Sequence, residues 1–140
     1  MNIKPLHSGF IMPTKGSDQA GAFDIYMPED NMTASISKMV GLGFAAAVPP
    51  GYVALLVPRS SVGAKFGLEL NNTVGVIDSD YRGEWKAALK TKNGLVYSWK
   101  KGDRLLQFLL VPVATDVKLV QVDDLDATGR GSGGFGSSGT

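Results

Sequence analysis

Apolar residues along the chain gather in short runs, several of them alternating with polar ones: FDIYM (23–27), SISKMV (35–40), YVALLV (52–57), TVGVI (73–77), WKAALK (85–90), LVYSW (95–99), RLLQFLLVPV (104–113) and VKLVQV (117–122). A period of two puts every second side chain on one face of a strand, and runs of this length fit strands better than helices. Between the runs stand MPED, VPPG, IDSD, KNG and KKGD, whose Pro, Gly, Asn and Asp residues supply the dihedral angles and local hydrogen bonds that reverse a chain. Many short strands separated by such turns predict an all-β domain: a sandwich, jelly roll or barrel. One stretch departs from the pattern. SSVGAKFG (60–67) predicts a single short helix, capped by Ser60 or Ser61 and ended by Gly67. Residues 1–128 carry no repeat and no boundary and are predicted as one domain. Residues 129–140, GRGSGGFGSSGT, hold six glycines and three serines in twelve positions and are predicted as a mobile Gly-rich arm.

Composition narrows the chemistry. With 140 residues, 44% of them hydrophobic and 19% charged, the balance is that of an ordinary globular domain. Fourteen basic and 13 acidic residues leave a net charge of +1, too little for a broad footprint on duplex nucleic acid or an anionic membrane, so an anionic ligand has to be held by a local site. There is no cysteine and only one histidine, His7, which removes disulfides, thiol nucleophiles and a zinc cluster. The first sixteen residues are broken by Lys4, Pro5, His7 and Lys15 and read as neither a signal peptide nor a membrane span, so a cytoplasmic protein is expected.

Five stretches hold side chains that chemistry could use, each with a plainer reading beside it. The terminal arm matches G-x-G-x-x-G twice, but a dinucleotide fingerprint must follow a strand and open a helix, which these residues do not allow. What remains is physical. Glycines let backbone N–H groups approach phosphate oxygens, Arg130 adds a planar cation, and Phe135 offers a face for a base; the plainer reading is a disordered tail. PRSSVGAKFG (58–67) sets an arginine and two hydroxyls at a helix start, fitting an anion or simply a cap. NNTVGVIDSDYRGEW (71–85) ends an apolar strand in Asp78, Asp80 and Tyr81, either chemistry or an Asp-rich turn. Asp24 in AGAFDIY and Gln107 in GDRLLQFLLVPV are polar residues in strand patterns, where a satisfied core group is the ordinary outcome.

The order of these pieces is far more specific than any one of them. An Asp-bearing strand, then PRSS with K-x-G, then GVIDSDYRGE, then R-x-x-Q, then RGSGGFGSSG closely resembles the five ordered motifs of the homotrimeric deoxyuridine triphosphatases, the dUTPases, from about residue 20 to the last residue. The departures are small. Gly21 and Ala22 precede Phe23 and Asp24 where the first motif usually reads A-G-x-D, Arg104-Leu105-Leu106-Gln107 stands where R-I-A-Q is usual, and Ser138 stands where Thr is common.

The resemblance implies a distorted jelly roll of many short strands with one short helix. It also implies Mg²⁺-dependent hydrolysis of dUTP to dUMP and pyrophosphate by water attack on the α-phosphorus, which limits uracil incorporation into DNA and supplies dUMP for dTTP synthesis. On that resemblance Asp78 is the general base for the attacking water, a task suited to a carboxylate that can hydrogen-bond it in line with the leaving group, and Asp80 is a turn residue. Tyr81 packs under the deoxyribose and excludes a 2′-hydroxyl; Asn72 and the backbone around Gly75 read the uracil edge. Arg59, Ser60 and Ser61 hold the phosphates, Ser60 facing the bridging oxygen of the leaving pyrophosphate, and Gln107 adds a contact. Asp24 acts either through water on Mg²⁺ or by orienting Arg59. In the arm, Arg130 takes the γ-phosphate, Gly136, Ser137 and Ser138 take phosphate oxygens, and Phe135 stacks on the uracil. Sites are shared between the chains of a homotrimer, across which the arm passes. Two rivals stand beside this reading. A dCTP deaminase shares the fold and an RSS segment, but it lacks a GGFG tail and needs a glutamate base near the base-binding strands, where Ala87, Ala88, Leu89 and Lys90 follow Glu84 here. A nucleotide-gated switch of protein–protein contacts, with regulatory partners, stays open as a second role.

Overall fold

A computed structural model describes residues 1–92 and 94–134 of the chain. It is all-β with one short helix. The first six strands are β1 (Asn2–Pro5), β2 (Thr14–Lys15), β3 (Ala22–Tyr26), β4 (Asn31–Thr33), β5 (Lys38–Gly41) and β6 (Phe44–Ala47). After β7 (Tyr52–Pro58) comes the helix α1 (Ser60–Phe66), then β8 (Leu68–Leu70), β9 (Gly75–Ile77), β10 (Lys86–Thr91), β11 (Tyr97–Trp99) and β12 (Arg104–Pro112). The largest sheet runs in the order β2-β3-β12-β7-β9, a second β5-β10-β8, and two pairs, β1-β6 and β11-β4, complete the set. All pairings are antiparallel.

One aromatic cluster ties the sheets together. Trp85, 1% exposed, meets Phe44 of β6 and Phe108 of β12 at 5.1 Å between ring centroids, and Phe108 also stacks on Phe23 of β3 at 5.1 Å. Trp85 and Phe108 meet edge to face at 81°, the arrangement in which a ring's positive edge faces its neighbour's negative face. Because Trp85 directly follows the residues that carry the candidate chemistry, truncating it to alanine would remove about 3–5 kcal/mol of packing and unseat them as well.

The helix forms where it is expected, and Gly67 ends it in the left-handed conformation at φ 62° with its N–H on the Gly63 carbonyl. The cap differs. Arg59 is the N-cap, extended and with no side-chain capping bond, so neither Ser60 nor Ser61 spends its hydroxyl on the helix start. A second difference concerns VKLVQV, expected as a strand: residues 117–122 join no sheet, and Leu119 is 97% exposed and Val120 77%. An alternating run becomes a strand only where an edge accepts its backbone groups, and this run meets none within the described part of its own chain.

Candidate active site

The turn between β8 and β9 is locked by its own groups. The Asn72 carbonyl accepts the Val74 N–H at 2.7 Å while the Asn72 side-chain amide donates to the Val74 carbonyl at 3.0 Å. Thr73, between them, sits at φ 67°, an uncommon conformation for a β-branched residue and one that must be held by its surroundings. Gly75 follows, lying so close over Leu56 that an added Cβ would come within 3.1 Å of the Leu56 Cβ. The strand β9 then pairs with β7 and delivers Asp78, exposed, at its end.

The return from Asp78 to Trp85 is equally defined. The Tyr81 N–H donates to the Asp78 carbonyl at 3.2 Å, and the Tyr81 hydroxyl donates to the Glu84 carbonyl at 3.1 Å. That second bond folds the phenol over Gly83, where a Cβ would overlap the ring and its hydroxyl. Glu84 in turn places its carboxylate against Gly41, and its Oε1 accepts the Gly43 N–H at 3.2 Å. These segments enclose a cavity of about 390 Å³ whose walls include Asn72, Gly75, Asp78 and Tyr81, four of the residues expected to act together. The volume lies in the range of small-molecule sites. Met39, Glu84 and Lys86 also line it and were not expected from the sequence, because they enter through the pairing of β10 with β5 and through a turn contact.

A second cluster forms around Asp24. On β3 it lies directly opposite Gln107 of β12, with Val57 of β7 on the far side of Gln107. Its carboxylate is nearly buried, with a side-chain exposure of 10%, and both oxygens are taken: Oδ1 by the Arg59 Nε at 2.9 Å and Oδ2 by the Arg104 Nη1 at 3.1 Å. A carboxylate this buried without cations would cost on the order of 3–5 kcal/mol. Arg59 and Gln107 are brought together here as expected, Ser60 and Ser61 stand exposed just beyond, and Arg104 is an addition. Gln107 reaches the Pro58 carbonyl only at 3.5 Å, a long contact that leaves its amide nearly free.

The two clusters are well apart within one chain. Ala54 pairs with Ile77, so Asp78 lies beside Val53, six residues along β7 from Arg59. At the rise of a strand that is about 20 Å. Arg130 joins neither cluster: its Nε donates to the Gly133 carbonyl at 2.8 Å, within a turn that also carries a bond from the Gly131 N–H to the Thr128 Oγ1 at 3.2 Å. Phe135, Gly136, Ser137 and Ser138 lie outside the described residues. Among the described residues no group of three or more His, Asp or Glu could hold a metal ion, and no helix is long and apolar enough to cross a membrane.

The chain is an all-β protein with a hairpin cavity ending in a carboxylate and, apart from it, an Arg-Asp-Arg cluster beside two exposed hydroxyls. The family model for dUTPase matches residues 8–139. The chain belongs to the dUTPase family and is thereby an enzyme, a nucleotidohydrolase. It is 36% identical over 140 residues to a deoxyuridine 5'-triphosphate nucleotidohydrolase of Nautilia profundicola, covering 99% of this chain and 98% of that one. The Saccharomyces cerevisiae protein of the same description is 38% identical, with 99% and 94% covered. Among solved structures, the dUTPase of Staphylococcus bacteriophage 80alpha with dUPNHPP superposes with a TM-score of 0.88 at 27% identity, over 99% of this chain and 98% of that one. The phage dUTPases are described as controlling transfer of virulence genes by a proto-oncogenic G protein-like mechanism.

Proposed function

We propose that the chain hydrolyses dUTP to dUMP and pyrophosphate, with Asp78 as general base. The observation that carries this reading is the hairpin cavity, which gathers a base-sized space beside Asn72 and Gly75, a phenol ring and an exposed carboxylate on one rigid turn. The locked backbone offers donors and acceptors at fixed spacing to a uracil edge. Tyr81, tethered by its hydroxyl to the Glu84 carbonyl, provides a ring for the sugar to pack on. Asp78 at the cavity rim accepts a proton from a water aligned with the α-phosphorus. Arg59, with Ser60, Ser61 and Gln107, takes the phosphates, and the hydroxyl of Ser60 stabilises charge developing on the leaving pyrophosphate. The arm then covers the base and the terminal phosphate with Phe135 and Arg130.

The roughly 20 Å between Asp78 and Arg59 exceeds the span of one triphosphate, which supports a homotrimer in which different copies supply the two clusters to each site. The exposed apolar run from Val117 to Leu125 supports the passage of the C-terminal segment onto a neighbouring copy. Of the two roles open to Asp24, its bonds to two guanidinium groups favour orienting Arg59, since neither oxygen is left open for a metal. The described residues therefore fit Mg²⁺ only as an ion carried on the substrate phosphates and met through water, where it would offset their negative charge. A switching role with protein partners rests on the likeness to the phage enzyme alone, and a pull-down with and without dUTP tests it.

Pyrophosphate release from dUTP, dTTP, dCTP and UTP in parallel, with and without Mg²⁺, tests the activity: turnover confined to dUTP is expected, and ammonia release from dCTP would return the deaminase. Mixing inactive Asp78→Asn and Arg59→Gln variants, unfolded and refolded together, tests the sharing of sites. Recovered activity is expected, because some sites then draw both intact residues from different copies; none at all would place both in one chain's site.

A further inference from the structure

R-x-x-Q spacing is awkward for a strand. Residues three apart point to opposite faces of a regular strand, so with Gln107 opposite Asp24, Arg104 would face away from it. The register resolves this. Arg104 pairs with Tyr26 and Leu106 with Ile25, so β12 spends two steps against one step of β3, and Leu105 is the extra residue of a β-bulge. Tyr26 lies two residues from Asp24, on the same face, and the bulge turns Arg104 onto that face with it. Leu105 and Leu106 are consecutively buried, at 2% and 0% exposure, which a regular strand with one polar face does not produce.

The displaced side chain lands on the second oxygen of Asp24, at 3.1 Å, while the first holds the Arg59 Nε at 2.9 Å. Arg59 also donates from Nη1 to the Arg104 carbonyl at 3.4 Å, so the two arginines are joined through both a carboxylate and the backbone. Two guanidinium groups around one carboxylate leave a net charge of +1, carried by side chains that remain 29% and 43% exposed. We propose that Arg104 is a positioning residue for phosphate binding. It fixes Asp24, which in turn grips Arg59 by Nε, while the Arg104 carbonyl steadies Nη1, so that the remaining guanidinium donors are held in place for the triphosphate. This rests on the triphosphate reading given above.

The test compares binding of an α,β-imido analogue of dUTP with binding of dUMP, by calorimetry on the intact oligomer. Arg104→Gln should weaken the analogue roughly 10- to 100-fold, the scale of a misplaced contact, while dUMP, lacking the outer phosphates, changes little. In an Asp24→Asn background Arg104→Gln should add almost nothing, because the path through Asp24 is already cut. Arg104→Lys, which keeps the charge and one donor, should fall between the two and decides the matter if the glutamine variant does not fold. Equal weakening of both ligands, additive losses with Asp24→Asn, or an unchanged analogue affinity would each overturn the proposal. A wild-type chain that neither binds the analogue nor turns over dUTP would instead sink the activity itself.

Discussion

Asp24 and Arg130 stand in two regions that handle charge in opposite ways. Asp24 sits on a strand paired on both sides and is bonded to Arg104, eighty residues away in sequence, whereas Arg130 bonds to Gly133, three residues on. The first contact exists only because the sheet exists, and its entropy cost is met when β3, β7 and β12 assemble. The second is local and can be exchanged for a ligand oxygen with little loss to the fold. The same contrast holds for apolar residues: in β12 the core positions Leu106 and Phe108 are at most 1% exposed, while Leu119 and Leu125, beyond its end, are 97% and 87% exposed. The difference teaches that the sheet fixes its charged groups as it assembles, while the described part of the C-terminal segment leaves its apolar side chains exposed, as the proposed passage onto a neighbouring copy requires.

The sharpest way to break this comparison is to disable chemistry on the sheet side without disturbing its shape. Asp78→Asn is isosteric at an exposed position, so the variant should bind the dUTP analogue and melt as the parent does, while kcat falls by roughly 10²–10⁴. Near-normal turnover would move the base elsewhere. The complementary cut is on the other side. A chain ending at Ala127 loses, among the described residues, only 128–134, which join no sheet, so its melting temperature should hold while kcat/KM falls on the order of 10² from lost alignment and lost shielding from water. A large fall in melting temperature would mean that the last residues belong to the fold after all, and full activity would make them an inert linker.

Legibility in the sequence followed the same divide. Runs whose partners lie in the same chain were readable: YVALLV, WKAALK and RLLQFLLVPV all lie on strands, and Gly67 ends the helix. NIKP, FAAA and LEL were not, since at three or four residues they are too short to show a recognisable alternation. VKLVQV carried a strand's alternation with no edge to use it on. Asn72, Gly75, Asp78 and Tyr81 could be grouped because a single hairpin holds them. Arg104 was written in the motif beside Gln107, yet its position on Asp24 depends on a bulge that no local pattern announces.

A finer contrast concerns the sugar-facing ring. If Tyr81 is held in place by Glu84 and by the absence of a side chain at Gly83, Tyr81→Ala should narrow the kcat/KM ratio of dUTP to UTP by about tenfold, mainly by harming dUTP. Gly83→Ala should produce part of the same effect with Tyr81 still present, because the added methyl displaces the phenol. An unchanged ratio in both would assign the sugar preference to another group.

The smallest effect is expected from a carboxylate that belongs to neither region. Asp30, on the turn between β3 and β4, accepts the Lys101 N–H at 2.8 Å and pairs with the Lys100 ammonium at 2.9 Å. Those contacts, the backbone bond first, hold its pKa below the ordinary 3.8, and Asp30 in turn raises that of Lys100. A carboxyl whose folded pKa is depressed contributes stability that is fully present above the unfolded value and is lost as pH falls through the folded one. Lys100, shifted upward, contributes below its own unfolded value and loses that only at strongly alkaline pH. Asp30→Asn should therefore lower the melting temperature at pH 7 by no more than about 2 °C, because the pair is solvent-screened. The difference from the parent should shrink on acidification and vanish as the parent's own carboxyl takes up its proton. Activity should not change. A loss of stability that persisted unchanged into acid would show that the amide disrupts the turn itself, and a loss of activity would tie this outer turn to the sheet's part of the site.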